Sequence, residues 1–194
     1  MSIQYISDIH LEFHDKQNKG AIHPEMFVTP VAPYLVLAGD IGIPDLKSYS
    51  VFLKWCSQKW KRVFLVAGNH EYYNIRVAVK SDIPTRKKLI QTICEGLPNV
   101  HFLDCTSVYV PELKLRILGC TLWSDIPDCI KDKAILYMND TKQILHQLTS
   151  VLHVSAFHQQ YPKLIEYHTN TLLTKYAYHS CRSCRATKQN VAST

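Results

Sequence analysis

Three short apolar runs, each closing on a turn that carries an acid, an amide or an imidazole, constrain this chain more than anything else in it. They are Ile3-Gln4-Tyr5-Ile6 before Ser7-Asp8-Ile9-His10, Tyr34-Leu35-Val36-Leu37 before Ala38-Gly39-Asp40, and Val63-Phe64-Leu65-Val66 before Ala67-Gly68-Asn69-His70-Glu71. Runs of this length, rich in β-branched and aromatic residues, predict buried strands of a mostly parallel sheet. In such a sheet ligands gather beyond the carboxyl ends of the strands. The runs are about one strand–helix–strand unit apart, so Asp8, His10, Asp40, Asn69 and His70 converge on one edge. Carboxylate, amide oxygen and imidazole together suit a pair of hard or borderline divalent cations.

The intervening segments fill in an α/β fold. Residues 14–20 form a polar loop, and Pro30 and Pro33 bracket the start of the second strand. Gly42-Ile43-Pro44-Asp45 is turn material. Residues 47–60 predict an amphipathic helix with Val51, Leu53 and Trp55 on its buried side. The tryptophans and bases of that helix also match a nucleic-acid surface; inward tryptophans and solvated lysines are the reading preferred. Asp82-Ile83-Pro84 starts another helix, with an acidic cap and proline in the first turn. It runs through Leu89, Ile90 and Ile93 to a stop at Gly96 and Pro98. Residues 100–103, 107–110 and 113–121 are short, hairpin-like strands expected to build a second sheet.

Asp8-x-His10, Gly39-Asp40 and Gly68-Asn69-His70-Glu71 resemble the first three blocks of the calcineurin-like metallophosphoesterase family. Ser7-Asp8-Ile9-His10-Leu11-Glu12-Phe13, residues 119–125 (Gly-Cys-Thr-Leu-Trp-Ser-Asp) and Met138-Asn139-Asp140 resemble its small soluble branch. The likeness covers roughly residues 1–145. It implies a layered αββα sandwich whose second sheet is incomplete here. It also implies a binuclear centre of two divalent ions, with manganese, iron, zinc, magnesium and nickel all compatible. By resemblance, Asp8 and His10 hold one ion, Asn69 holds the other through its amide oxygen, and Asp40 bridges them. The implied reaction is hydrolysis of a phosphomonoester or phosphodiester by a metal-activated hydroxide, with His70 assisting the leaving group. Tyr72 and Tyr73 either line the substrate entrance or anchor the loop. Trp123 and Asp125 shape the pocket or pack against it.

The family pattern continues with a further strand-ending histidine and a Gly-His-x-His block, and this chain has no Gly-His pair. His153 is the nearest stand-in for the first; His158, His168 and His179 stand isolated. Without those histidines a mononuclear or loosely filled site is the other arrangement. Every one of the 6 glycines lies before residue 120, and Glu166 is the sole carboxylate after Asp140. Residues 1–148 are accordingly expected to form the phosphoesterase domain. Residues 149–194 are expected to form an atypical, poorly compacting tail. Cys181-x-x-Cys184 beside His179 has neither the second pair of a zinc site nor the strand–helix context of a redox motif. The alternative to an enzyme is a truncated, non-catalytic family member that serves as a binding module or persists as a remnant.

The 7 cysteines, an odd number at irregular spacing, fit reduced thiols. With no leader-like or bilayer-spanning run, they lead to the expectation of a cytoplasmic protein without membrane partners. The net charge of +6 suits a phosphorylated small molecule or nucleotide-like substrate. Nucleic acid is the less favoured partner, and the oligomeric state stays open.

Overall fold

The computed structural model describes residues 2–18, 22–75, 77–122 and 128–145. Strands β1 (Ile3–Ile6), β2 (Tyr34–Ala38), β3 (Arg62–Val66) and β4 (Val100–Phe102) form one parallel sheet in the order β1-β2-β3-β4. The pairs Ile3↔Tyr34, Tyr34↔Arg62 and Val63↔Val100 set its register. Helices α1 (Leu11–Asn18), α2 (Lys47–Lys59) and α3 (Ile83–Glu95) lie in the three successive crossovers. Strands β5 (Thr106–Val110) and β6 (Leu115–Gly119) pair antiparallel as a separate hairpin. Two short helices, α4 (Lys131–Tyr137) and α5 (Asn139–Gln143), follow.

Period-two alternation splits the core between the two faces of the main sheet. Leu35, Leu37, Val63 and Leu65 turn toward the helices and join Tyr49, Phe52, Leu53, Cys56 and Ile90 in the larger cluster. Tyr34 and Phe64 turn the other way, onto Val110 and Ile117 of the hairpin. Helices, parallel sheet and hairpin are thus stacked layers, an α/β arrangement that matches the expected metallophosphoesterase sandwich. Among the described residues the second sheet has two strands.

Three local expectations need correction. The segment read as a loop over 14–20 is helical through Asn18. It contains no glycine or proline before Gly20, and its first residue, Leu11, is fully buried. The buried stripe of α2 is Tyr49, Phe52, Leu53 and Cys56, spaced i, i+3, i+4, i+7. Val51 and Trp55 sit at its margins, only partly buried. Trp60 is buried beside Trp55 at 5.5 Å between ring centroids, so these tryptophans pack inward. Third, residues 100–102 do not belong to the second sheet. The 13-residue α3 is long enough to serve as a crossover, and it returns the chain parallel to β3. The start of α3 is as read: Thr85 N donates to Asp82 Oδ1 at 3.0 Å.

Candidate metal centre

The chain turns sharply just past β1 and β2. Asp8, His10 and Asp40 have φ of 56°, 52° and 53°, the left-handed region that side chains disfavour. Three non-glycine residues held there at one sheet edge mark a place where packing overrides local preference. Backbone bonds fix the strained segments to each other: Asp8 N to Gly39 O at 3.1 Å, His10 N to Asp40 O at 3.0 Å, and Leu11 N to Ile41 O at 2.9 Å.

Glycine allows the third turn to close on the second. A Cβ on Gly68 would lie 2.2 Å from Asp40 Oδ1 and 2.6 Å from Asp40 N. The buried Glu71 carboxylate then ties the two turns together. It accepts from Gly68 N at 2.7 Å, Asp40 N at 3.0 Å, Ile41 N at 2.8 Å and Gly42 N at 3.4 Å. Burial, and then the Asp40 charge, push its pKa up to about 8 against those amide donors. Behind the turns, the fully buried Arg86 of α3 pairs with Asp45 and donates to Asn74 Oδ1 at 3.2 Å. It thereby joins the loops that follow β2 and β3.

At the surface of this frame, one ligand atom each from His10, Asp40 and His70 lies within 4.8 Å of the others. Asp40 is buried and accepts from His70 N at 3.0 Å. Burial raises its pKa, and the Asp8 charge adds to the rise. Asp8 is exposed and stands outside the His10–Asp40–His70 group, yet near enough to act on both His10 and Asp40.

Glu12 lies under both imidazoles. Its Oε1 is 2.8 Å from His70 Nδ1 and 3.3 Å from His10 Nδ1. Burial raises its pKa, but the two imidazole hydrogen bonds outweigh burial and hold it down to about 2. An ionised carboxylate only accepts, so both Nδ1 atoms must donate, leaving both Nε2 atoms for the site. The Glu12 hydrogen bond in turn raises the His10 pKa, against burial.

Asn69 is oriented from the far side. Its Nδ2 donates to Asp140 Oδ1 at 2.7 Å and to Tyr73 Oη at 3.0 Å, and Tyr73 itself donates to Asp140 at 2.5 Å. The Tyr73 ring stacks on His70 at 4.3 Å between centroids. Asp140 reaches this point because the end of α5 and the residue after it dock on the loop beyond β3 and on the core. Asn74 N donates to Gln143 O at 2.8 Å, and Ile144 is buried in the core. Asn69 Oδ1 is left buried with no hydrogen-bond partner. A buried carbonyl oxygen without a donor is costly. A cation beside it would relieve that cost and the crowding of negative charge at Asp40. The residues present therefore fit a divalent metal.

All five expected site residues thus lie at one sheet edge. Glu12, Glu71, Tyr73 and Asp140 all fall in stretches singled out in the sequence, but their roles in orienting the site residues were not read from it. Glu12 and Glu71 sit inside the motifs, so adjacency was a signal. Asp140 lies 71 residues from Asn69, and no spacing rule connects them. Tyr72 is a core anchor, fully buried, with Oη 3.4 Å from Thr121 Oγ1. Trp123, Asp125, His153, His158, His168, His179, Cys181, Cys184 and the whole 149–194 segment lie outside the described residues. Among the described residues no helix is long and apolar enough to cross a membrane.

Comparison with known proteins adds to this geometry. The chain is 30% identical over 142 residues to an uncharacterized protein, L509, of Acanthamoeba polyphaga mimivirus, covering 71% of this chain and 50% of the relative. It therefore spans about half the length of the curated relative it matches. The crystal structure of a phosphopantetheinyl hydrolase from Mycobacterium tuberculosis has a similar fold. The TM-score is 0.54 at 17% identity, over 82% of this chain and 63% of that one. The family model for calcineurin-like phosphoesterases matches residues 1–132, which contain all three strand-end motifs. The chain belongs to the calcineurin-like phosphoesterase family.

Proposed function

We propose that this protein hydrolyses a phosphoester, mono or di, with divalent metal held by Asp8, His10, Asp40 and Asn69. One observation carries the reading. Groups from three strand ends converge, and Asn69 Oδ1 is left without a partner because Asp140 and Tyr73 occupy its Nδ2. Two ions are the number proposed, and Asp40 would be a ligand in that centre. When bound, they supply charge neutralisation for the phosphoryl oxygens and acidify a water. A phosphorylated small molecule or nucleotide-like compound is the proposed substrate class, in keeping with the name of the phosphopantetheinyl hydrolase of similar fold.

The protein's own contributions follow from the hydrogen bonds. Glu12 presents the Nε2 of His10 as a lone-pair donor to metal. The same carboxylate accepts from His70 Nδ1 and so turns Nε2 of that ring toward the site, where it would hydrogen-bond the leaving oxygen. Stacking on Tyr73 fixes the plane of that ring.

Leaving-group dependence tests the role of His70. His70→Ala is expected to slow hydrolysis of an alkyl phosphoester by roughly 10²–10⁴-fold. A nitrophenyl ester, whose leaving group needs no proton, is expected to lose much less. Equal losses for both esters would remove the leaving-group assignment.

A further inference from the structure

We propose that Cys105 and Cys120 form a redox site, a thiol pair that small-molecule disulfides such as oxidised glutathione convert to an intramolecular disulfide. The pair lies at the open end of the hairpin. Thr106 is registered opposite Gly119, so the next residues outward, Cys105 and Cys120, face each other across the two chains. Their Sγ atoms are 2.9 Å apart, and both residues are only partly buried. The ladder itself ends at Thr106 and Gly119, and Cys105 has a φ of 55°, but the two sulfurs already touch, the closeness that a disulfide needs first.

The surroundings separate this pair from other thiols. Cys56 and Cys94 are buried in the core, and burial pushes the Cys94 pKa up to about 12. At the hairpin, a hydrogen bond from Cys105 lowers the pKa of Cys120, while the same bond raises that of Cys105. Cys120 is therefore the attacking sulfur. Asp104, beside the pair, is held at 2.8 Å by Lys87 of α3, which offsets its charge near the thiolate.

The exchange balances in two displacements. Cys120 thiolate attacks one sulfur of oxidised glutathione; the S–S bond breaks and one glutathione thiolate departs. Cys105 then gives its proton to solvent and attacks the Cys120 sulfur, expelling the second glutathione. Two protein thiols are oxidised, and one disulfide is reduced to two thiols. The new bond would lie next to Thr121, whose Oγ1 donates to Ala67 O at 2.7 Å, just before Gly68-Asn69. This site does not depend on the proposed hydrolysis.

The test equilibrates the full-length, fully reduced chain in glutathione buffers of graded redox ratio. Samples are quenched in acid, alkylated under denaturing conditions and mapped by mass spectrometry without reduction. The expected result is a Cys105–Cys120 cross-link that rises as one two-electron transition while Cys56 and Cys94 stay alkylated. Cys105→Ser and Cys120→Ser should each abolish it, and the map of the wild-type chain stands even if a variant misfolds. Alkylation of both cysteines at the oxidising end would overturn the proposal. Comparable yields of links from either one to Cys94 or Cys129 would also overturn it.

Discussion

Asn69 can present an oxygen only because two other groups hold its nitrogen. Asp140 and Tyr73 both accept from Nδ2, and the amide cannot turn over without placing its oxygen against a carboxylate. Asp140→Ala is therefore expected to weaken Mn²⁺ binding about 10- to 100-fold with little change in folding, as measured by titration calorimetry. Unchanged affinity would mean that Asn69 is oriented by something else. Gly68 is the other residue with no substitute. A methyl group there collides with Asp40 itself, so Gly68→Ala should cost about 1–3 kcal/mol in urea unfolding. Asp8, His10, Asp40, Asn69 and His70 were legible as a set because each sits in a strand-end motif. The orienting roles of the supporting groups were not, since hydrogen-bond partnerships such as that of Asp140 with Asn69 are fixed by tertiary docking.

Strands β2 and β3 were readable because buried parallel strands are continuous apolar runs; β1, expected to be buried, is an edge strand with no buried residue and was marked by the motif that follows it. Helix α3 was readable from its cap, and Asp82→Ala is expected to cost about 1 kcal/mol of stability by chemical denaturation. The placement of β4 was not readable. Its three residues look like any hairpin strand, and only the crossover through α3 assigns it to the first sheet. The hairpin is joined to the main sheet by charge as well as packing. Glu112, in the turn between β5 and β6, lies 3.1 Å from Lys61 and 3.4 Å from Arg62. Its own backbone N–H, then Lys61, hold its pKa down to about 2. A carboxyl lowered on folding stabilises at pH above its unfolded value, and that contribution fades as pH falls through the folded value. Wild-type urea midpoints should therefore decline between about pH 5 and pH 2 more steeply than those of Glu112→Gln. Parallel declines would show that the ion pairs carry no linkage.

At the scale of the molecule, among the described residues, a sheet gathers the candidate site residues at one edge, helices cover one face and a two-stranded hairpin covers part of the other. Tyr5 shows how far that second cover extends: it shares a face with Ile3, which packs on the hairpin cluster, yet is itself 58% exposed. The α/β class and the position of the site followed from apolar runs and their terminal motifs. The ordering of the sheet and the inward return of Asp140 depend on contacts distant in sequence. The proposed function requires that this edge bind divalent metal and use it to hydrolyse phosphoesters. The most direct test titrates Mn²⁺ into metal-free wild-type protein and into Asp40→Asn while following hydrolysis of nitrophenyl phosphomonoester and phosphodiester. The expected result is saturable activation of the wild type, reversed by chelator, and neither binding nor turnover at the same Mn²⁺ in an Asp40→Asn variant that still melts cooperatively. Folded wild-type protein without metal-dependent turnover, or an Asp40→Asn variant as active as wild type, would contradict it.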